Sequence, residues 1–293
     1  MTKKNKILKY IFIPLLSLAI LIISLNYMNS YTNKNPVKVG SNILNNTHTD
    51  SINKNEIEKD LNRFENIKLT SESIGVPVLY YHSVNKNADN EVTITPEMLE
   101  EELNYINDRG YTTITIKELY DYLQNNQSIP EKSIVITFDD GYMNNYTEAF
   151  PILKKLNMKA TIFCVGNSLD GSYYLSEDAI KEMSDYGIDI ESHTINHLHL
   201  DTLSYDDQLE ELKRSKEILE NITGKEVLSV AYPFGDYNDD TLKATKDAGY
   251  KLAFTTHLGL SDRNDNIFEL DRIYISSYYD MDTFKNLLNN TQK

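Results

Sequence analysis

The chain has 293 residues and a formal net charge of -15, with 29 Lys and Arg against 44 Asp and Glu. This length suffices for one large domain or two small ones, and 40% hydrophobic residues can form a substantial core. The negative charge argues against nucleic acid as a partner, because nucleic-acid binding depends on clustered Lys and Arg side chains. The single cysteine, Cys164, excludes an intrachain disulfide, and its apolar surroundings "ATIFCVG" predict a buried side chain.

The N-terminal end of the chain has the features of a membrane signal-anchor. Residues 1–9 are basic, and residues 10–28 form an uncharged, mostly apolar stretch of 19 residues, close to the roughly 20 that a helix needs to cross a bilayer. The lysines favour a cytoplasmic N-terminus, so the rest of the chain is expected outside the cytoplasm. A cleaved signal peptide is the alternative, although no A-x-A-like site follows the apolar stretch. Residues 29–74 are polar and predict a flexible extracytoplasmic stalk.

From residue 75 to residue 293, short apolar stretches alternate with amphipathic segments. The first helix is predicted over residues 95–110, with Thr95 as N-cap and Pro96 in the first turn. Strands are predicted within residues 76–84, 112–116, 133–138, 160–166, 188–193, 227–235, 252–256 and 268–275, and further helices within 117–126, 146–156, 176–186, 204–224, 238–250 and 281–289. This alternation is typical of parallel strands covered by helices, so both a (β/α) barrel and an open doubly wound sheet are possible. In both folds, functional residues gather where strands end.

The ends of five predicted strands carry polar or aromatic residues suited to a catalytic site. They are His82 in the first strand, Asp139 and Asp140 after "VITF", His193 and His197 after "IDIES", Tyr232, Pro233 and Phe234 after "LSVA", and Asp271 and Arg272 in "FELDRI". Three of the six histidines of the chain are among them. We therefore expect these side chains to form one site.

The neighbouring carboxylates of Asp139 and Asp140 repel each other unless a positive charge lies between them. Taken alone, "DDG" is more typical of a turn whose Asp side chains accept backbone hydrogen bonds. Together with His193 and His197, which a helical turn or a tight loop would place on one side, the carboxylates indicate a bound divalent cation. Two histidines and one carboxylate leave a coordination position open, as a catalytic zinc site requires. The second aspartate could then take a proton from water, and His82 could protonate a leaving group.

At this point the sequence resembles a known family. "TFDDG" at residues 137–141 and "SHTINH" at residues 192–197 resemble the first two motifs of the NodB-type polysaccharide deacetylases, carbohydrate esterase family 4. The resemblance covers about residues 75–290 and implies a distorted (β/α)7 barrel that removes acetyl groups from sugars in a metal-dependent way. It also implies that Asp139 is the general base and that the metal ligands are Asp140, His193 and His197. We expect Zn²⁺, but such N and O ligands also accept Co²⁺, Ni²⁺, Fe²⁺ or Mn²⁺.

The histidine of the usual C-terminal L-x-H motif is missing, since no histidine follows His257 and "FTTHLG" around it matches poorly. Instead, "PVLYYHSV" resembles the motif that poly-N-acetylglucosamine deacetylases carry at the start of the domain. This resemblance assigns the catalytic acid to His82.

The third family motif usually has an arginine two residues before its proline, where this chain has Ala231. The arginine that normally steadies the general base is thus missing. We expect Arg272 to take its place and Asp271 to orient His82.

Three further roles are expected around the site. The side chains of Tyr232, Pro233 and Phe234 are expected to line the sugar pocket, since aromatic faces suit the apolar faces of sugars. The backbone N–H of Tyr142 is a candidate oxyanion donor. His199 is expected to lie at the surface or behind the ligands.

The resemblance favours an enzyme that removes N-acetyl groups from N-acetylglucosamine units of an extracellular or cell-wall polysaccharide. Poly-β-1,6-N-acetylglucosamine, a biofilm polymer, is the first candidate; peptidoglycan, chitooligosaccharide and acetylated xylan are the alternatives. A catalytically inactive carbohydrate-binding module is the alternative from another class. The presence of all three predicted ligands together with Asp139 argues against it, because a binding module needs no open metal site. The expected partners are the polysaccharide and, through the N-terminal helix, the membrane.

Overall fold

The computed structural model describes residues 62–291 of the chain. The predicted transmembrane segment at residues 10–28 and the first part of the predicted stalk lie outside these residues. Within residues 62–291, no helix combines the length and the apolar character that crossing a membrane would require.

Seven parallel strands close into a barrel in the described part of the chain. Their order around the barrel is Val78–Tyr81, Leu270–Tyr274, Leu252–Leu258, Ser229–Ala231, Asp189–Ser192, Thr161–Cys164 and Ser133–Phe138, and the last strand pairs back to the first. The strands of the domain are β1 (Leu69–Thr70), β2 (Val78–Tyr81), β3 (Ser83–Val84), β4 (Thr93–Ile94), β5 (Thr112–Thr113), β6 (Ile129–Pro130), β7 (Ser133–Phe138), β8 (Thr161–Cys164), β9 (Asp189–Ser192), β10 (Ser229–Ala231), β11 (Leu252–Leu258) and β12 (Leu270–Tyr274). The predicted seven-stranded (β/α) barrel is confirmed, and the open sheet is excluded because the strands form a ring.

Helices connect the strands on the outside of the barrel, as the sequence pattern predicts. They are α1 (Pro96–Asp108), α2 (Ile116–Asn125), α3 (Phe150–Lys155), α4 (Glu177–Tyr186), α5 (Tyr205–Thr223), α6 (Asp239–Asp247) and α7 (Met281–Asn290). The Thr95 side chain caps α1 by accepting a hydrogen bond from the Met98 amide at 3.2 Å. The helix predicted over residues 146–156 begins instead with a π-helical turn, Asn145–Ala149, which leads into α3.

Side chains of the barrel strands alternate between the interior and the surrounding helices, because successive residues of a strand point to opposite faces. The interior cluster contains Val78, Val135, Phe163, Ala231, Leu252, Phe254 and Leu270. The outer cluster contains Leu79, Tyr81, Ile134, Ile136, Phe138, Ile162, Cys164, Ile190, Val230, Tyr232, Ala253 and Ile273. Helix α2 adds Leu119 and Tyr122 to the interior cluster. Its first amide, that of Ile116, donates to the Asp189 carboxylate at the start of β9, so α2 covers the amino end of the barrel.

Residues 62–74, which the sequence analysis assigned to the stalk, pack against the barrel. Strand β1 pairs with β6 in antiparallel orientation, and the Arg63 guanidinium donates to the carbonyl of Thr113 at 3.0 Å. The hydroxyl of Tyr122 donates to the carbonyl of Ile74 at 2.9 Å. The predicted end of the stalk is therefore wrong, and the folded domain begins before it.

Candidate active site

The predicted catalytic side chains meet at the carboxyl end of the barrel. His82, Asp139 and His193 directly follow β2, β7 and β9, and Arg272 lies in β12. Counting in steps of two from interior Val78, Val135 and Leu270 places His82, Asp139 and Arg272 on the interior face. His193 lies three residues after outward-facing Ile190 and therefore faces the interior too. Asp140 is the first residue of the turn after Asp139. The alternation of the strands thus brings residues from distant parts of the chain to one opening.

Asp140, His193 and His197 form a cluster that fits a divalent metal ion. Their candidate ligand atoms all lie within 4.8 Å of one another. The Oδ1 atom of Asp140 is 3.4 Å from Nε2 of His193 and 3.2 Å from Nε2 of His197. Two ligands about 2.1 Å from a tetrahedral ion lie roughly 3.4 Å apart, so these separations suit zinc with a fourth position open.

The orientation of His193 also suits a metal ligand. Its Nδ1 lies 2.7 Å from the carbonyl oxygen of Ala231, to which it donates a hydrogen bond. This contact assigns the ring proton to Nδ1 and leaves the lone pair of Nε2 directed towards Asp140. The ring of His197 is close by, with its centre 4.8 Å from that of His193. The sequence prediction of these three ligands therefore agrees with the geometry.

The backbone around these ligands is held in left-handed conformations that non-glycine residues rarely adopt. Asp140 has φ 73°, Thr194 has φ 63° and His197 has φ 56°. Such conformations cost energy and occur preferentially at functional sites. Gly141, at φ 72°, completes the turn after Asp140, and a Cβ there would lie 3.2 Å from Sγ of Cys164. The glycine of "DDG" is thus required by both its φ angle and its close packing.

Cys164 itself is a buried packing residue, as predicted. Burial raises the pKa of its thiol to about 12, so the thiol stays protonated and unreactive at neutral pH.

Asp139 is paired with Arg272 at the mouth of the barrel. Nη1 and Nη2 of Arg272 each donate to one carboxylate oxygen at 2.8 Å, which is the strong bidentate arrangement. Burial by itself would raise the pKa of Asp139, but the charge of Arg272 and its hydrogen bonds outweigh burial, so the pKa is lowered. Asp139 is therefore ionised at neutral pH and able to accept a proton.

The Arg272 side chain is completely buried, at 0% exposure, and all parts of its guanidinium have partners. Its Nε donates to the carbonyl of Thr255 at 2.9 Å, and its central carbon lies 4.2 Å from the ring centre of Tyr80. Ala231, at the position of the missing motif arginine, faces the same barrel interior. These contacts support the prediction that Arg272 takes the place of that arginine beside Asp139.

His82 lies beside the rings of Tyr80 and Tyr274, whose centres are 5.9 and 6.0 Å from the centre of its imidazole. Burial lowers the pKa of His82, and the negative charges of Asp139 and Asp140 oppose this only in part. A lowered pKa makes the imidazolium a stronger acid. The position of His82 thus fits the predicted proton donor, whereas the lowered pKa leaves less of its imidazole protonated at neutral pH.

The backbone amide of Tyr142 is available beside the cluster. The segment around Tyr142 pairs with the segment around Tyr174 through the Met143 amide and the Gly141 carbonyl, so the Tyr142 amide does not take part in this pairing. Burial, the charge of Asp140 and a hydrogen bond to its carboxylate raise the pKa of the Tyr142 hydroxyl. The oxyanion role of its N–H therefore stays a prediction.

Tyr232 does not line the pocket. Its side chain points to the outer face of β10, is 0% exposed, and its hydroxyl bonds to Thr245 Oγ1 and the carbonyl of Phe268, both at 3.1 Å. The prediction of a pocket residue is wrong because Tyr232 directly follows interior Ala231 and so faces the helices. Pro233, also predicted in the pocket, is buried too.

Phe234 is the aromatic residue that reaches the site from this motif. Its side chain is 53% exposed, and its ring centre lies 4.6 Å from that of His197. On the other side it stacks on His199 at 3.9 Å with nearly parallel planes, and Nδ1 of His199 lies 2.6 Å from a carboxylate oxygen of Asp236. The prediction of Phe234 at the pocket edge agrees with this position, and His199 lies behind it. Asp236 gave no recognisable signal in the sequence.

Asp271 lies on the other side of β12 from Arg272. A Cβ on Gly259 would be only 2.2 Å from its Oδ2, so the carboxylate packs against the backbone outside the barrel interior. The predicted contact that orients His82 is wrong for the same reason as the prediction for Tyr232: neighbouring residues of a strand face opposite sides.

Replacing His197 with alanine removes one of the three proposed ligands and should weaken zinc binding by more than about 100-fold, beyond the 10- to 100-fold typical of losing an outer-shell partner. Isothermal titration of the apo-protein with Zn²⁺ measures this affinity. The matched control is His257→Ala, because His257 is exposed and lies beside Tyr237 on the outer side. Equal zinc affinity in both variants would remove His197 from the proposed site.

Comparison with known proteins agrees with this geometry. The sequence model of the family "Polysaccharide deacetylase" matches residues 126–253. YxkH of Bacillus subtilis (strain 168), whose polysaccharide deacetylase assignment is provisional, is 39% identical over 207 residues that cover 71% of this chain and 74% of that protein. The poly-beta-1,6-N-acetyl-D-glucosamine N-deacetylase of Staphylococcus epidermidis (strain RP62A) is 28% identical over 254 residues, covering 76% of this chain and 86% of that protein.

Among solved structures, the deacetylase PplD of Streptococcus pyogenes in complex with acetate superimposes with a TM-score of 0.70 at 31% identity, covering 76% of this chain and 100% of that chain. Residues 126–253, which the family model matches, include the strands that carry both "TFDDG" and "SHTINH". The chain therefore belongs to the polysaccharide deacetylase family, the NodB or carbohydrate esterase family 4 proteins.

Proposed function

We propose that this protein is a metal-dependent N-deacetylase of poly-β-1,6-N-acetylglucosamine. The observation that carries the proposal is a buried carboxylate, Asp139, kept ionised by Arg272 directly beside the Asp140, His193 and His197 cluster. A base next to a three-ligand metal site is what hydrolysis of an unreactive amide requires. The choice of polymer is supported by the similarity to the staphylococcal enzyme of that name and by the position of His82 at the start of the domain.

Asp140, His193 and His197 would hold the cation. When bound, a divalent cation there supplies Lewis-acid polarisation of the acetyl carbonyl and lowers the pKa of water. The two carboxylates have separate tasks in this arrangement. Asp140 contacts both imidazoles, whereas Asp139 is turned to Arg272 and remains available for a proton.

The residues of the chain then perform the proton transfers. Asp139 takes a proton from the attacking water, whose oxygen forms a new bond to the acetyl carbon. The N–H of Tyr142 donates to the carbonyl oxygen as negative charge develops there. His82 gives a proton to the nitrogen, which takes the electron pair of the breaking C–N bond. The products are acetate and the free amine of glucosamine.

Phe234 would bind the apolar face of a sugar ring at the pocket edge. Its replacement with alanine should raise KM for the polysaccharide by about 5- to 10-fold, corresponding to roughly 1–1.5 kcal/mol of stacking, and should change kcat by less than about 3-fold. Steady-state acetate release checks this. Tyr186→Ala, on the outer end of α4, is the control. A change confined to kcat in Phe234→Ala would contradict a binding role.

One assay on four acetylated polymers distinguishes the candidate substrates. Acetate release is measured from poly-β-1,6-N-acetylglucosamine, peptidoglycan, chitooligosaccharide and acetylated xylan with equal amounts of enzyme. The proposal predicts the fastest release from the first polymer. Faster release from another polymer would keep the enzyme class but change the substrate. Binding of a glycan without acetate release from any of them would favour the inactive carbohydrate-binding module.

We also propose that the domain works outside the cytoplasmic membrane, anchored by residues 10–28. The basic residues before this apolar stretch support that orientation. Protease added to intact cells should degrade the domain in the anchored form. Recovery of the whole domain from the culture medium would favour the cleaved, secreted form, and protection inside intact cells would contradict the proposal.

A further inference from the structure

Two adjacent asparagines connect the segment that carries His82 to the segment that carries the two aspartates. Nδ2 of Asn145 donates to the carbonyl oxygen of His82 at 2.7 Å. Oδ1 of Asn144 accepts from the amide of Val84 at 3.0 Å, and its Nδ2 donates to Oγ of Ser83 at 2.8 Å. Three hydrogen bonds thus join residues that are 60 to 63 positions apart in the sequence.

The two asparagines occupy a short segment directly after the "DDG" turn. Asn144 precedes and Asn145 begins the π-helical turn Asn145–Ala149, an irregularity frequent at functional sites. The same segment therefore starts with the proposed base and metal ligand and ends with the side chains that hold the His82 backbone. Asn145 is 0% exposed, and its bond to the His82 carbonyl is partly buried.

The imidazole of His82 needs such support because no other contact in residues 62–291 directs it by hydrogen bonding. Its Nδ1 is buried and has no hydrogen-bond partner in that part of the chain. The ring of His193, by contrast, is fixed by the carbonyl of Ala231. The rings beside His82, those of Tyr80 and Tyr274, pack against it without a directional bond. The position of the His82 ring therefore depends mainly on the position of its backbone.

We propose that Asn145 is a positioning residue for proton donation by His82. This inference rests on the proposed function, in which His82 protonates the leaving nitrogen. If the His82 carbonyl loses its partner, the residue can shift by a fraction of an ångström, and proton transfer depends on short donor–acceptor distances. Asp139 and the metal ligands make no contact with Asn145 among these hydrogen bonds, so their chemistry should persist.

Substrates with different leaving groups distinguish a loss of proton donation by His82 from a general disruption of the active site. An amide nitrogen must receive a proton as the C–N bond breaks, because the unprotonated amide anion is too basic to leave. A phenolate ester such as 4-nitrophenyl acetate breaks its C–O bond without that proton, since the phenolate itself is stable. Loss of the proton donor therefore slows deacetylation of an amide and largely spares the ester.

The experiment compares both substrates in Asn145→Ala. We expect kcat for the N-acetylglucosamine polymer to fall about 10- to 100-fold, because misplacing a reacting group by about 1 Å can cost about 100-fold. We expect KM and the rate of 4-nitrophenyl acetate hydrolysis to change by less than about 3-fold. His82→Ala should show the same selectivity with a larger loss on the polymer. Asn145→Ser, which is too short to reach the carbonyl, is the second variant if Asn145→Ala does not fold.

Gln208→Ala is the matched control. Gln208 is also 0% exposed, its Nε2 donates to the carbonyl of Leu203 at 3.2 Å, and its amide oxygen, like that of Asn145, is buried without a partner in the described residues. The Gln208→Ala variant should lose thermal stability, and its activities on the amide and on the ester should change by the same factor. Equal losses on both substrates in Asn145→Ala, or no loss on either, would overturn the positioning role.

The wild-type rate on the polymer tests the proposed function separately from this inference. The ratio of amide to ester activity between the variants tests only the role of Asn145. The two failures are therefore distinguishable.

Discussion

Replacing Asp139 with asparagine should lower acetate release by about 10²- to 10⁴-fold, the usual contribution of a general base, while zinc binding persists. The amide has nearly the same shape but cannot accept the proton of the attacking water. The ligand atoms that cluster nearby belong to Asp140, His193 and His197, so their geometry does not depend on Asp139. The loss should therefore appear in kcat and not in metal content.

The measurement combines acetate release with metal content of the same sample. Asp185→Asn, on the exposed surface of α4, makes the same chemical change away from the site and should be fully active. Thermal unfolding of both variants detects any instability caused by the loss of the Arg272 partner. An Asp139→Asn enzyme with wild-type turnover would remove Asp139 from the role of base.

Replacing Arg272 with methionine should be the most destabilising single change at the site. It leaves the carboxylate of Asp139 buried without its partner, which typically costs about 3–5 kcal/mol of unfolding free energy. For a domain of this size, each kcal/mol corresponds to a shift of Tm by roughly 2–4 °C. Arg272→Lys keeps the charge but cannot form both hydrogen bonds, so it should recover only part of the stability and lower turnover.

The pH dependence of this loss follows from the pKa of Asp139. In the folded wild-type protein Arg272 holds that pKa below its unfolded value, so the pair contributes stability above the unfolded pKa of about 3.9 and loses it as pH falls through the folded pKa. The difference in stability between wild type and Arg272→Met should therefore be greatest near neutral pH and shrink in acid.

Urea unfolding at several pH values measures this difference. The control is Arg214→Met, because Arg214 forms only an exposed ion pair with Glu210 on α5 and should cost less than about 1 kcal/mol. Unchanged stability in Arg272→Met, or unchanged turnover in Arg272→Lys, would contradict the proposed support of Asp139.

The sequence predicts the fold class and the metal ligands where polar residues follow apolar strand segments at regular spacing. Alternating strands and helices predicted parallel strands covered by helices, and the side chains after the strands predicted a metal site with His193, His197 and one carboxylate. The barrel and the choice of Asp140 as that carboxylate came from the resemblance to the polysaccharide deacetylases. The errors at Tyr232 and Asp271 have a common physical origin, because each is one residue away from an interior position, at Ala231 and Arg272. Counting strand faces in steps of two would have excluded both from the site.

Other features could not be read from the sequence because they depend on tertiary contacts. The missing motif arginine led to the expectation that Arg272 supports Asp139, but only the folded chain shows the bidentate contact at 2.8 Å across 133 positions. Likewise, Asn145 stands in an ordinary polar stretch, and only the folded chain brings it to the carbonyl of His82. The polar composition of residues 62–74 predicts a stalk, although Leu69 and Thr70 pair with the domain.

Metal-dependent deacetylation is tested most directly by acetate release from poly-β-1,6-N-acetylglucosamine before chelation, after chelation and after Zn²⁺ is added back. The three-ligand cluster predicts acetate release that is lost on chelation and restored by stoichiometric Zn²⁺ in the wild-type chain, but not in His197→Ala. Acetate release that continues at the full rate in metal-free enzyme would contradict this account.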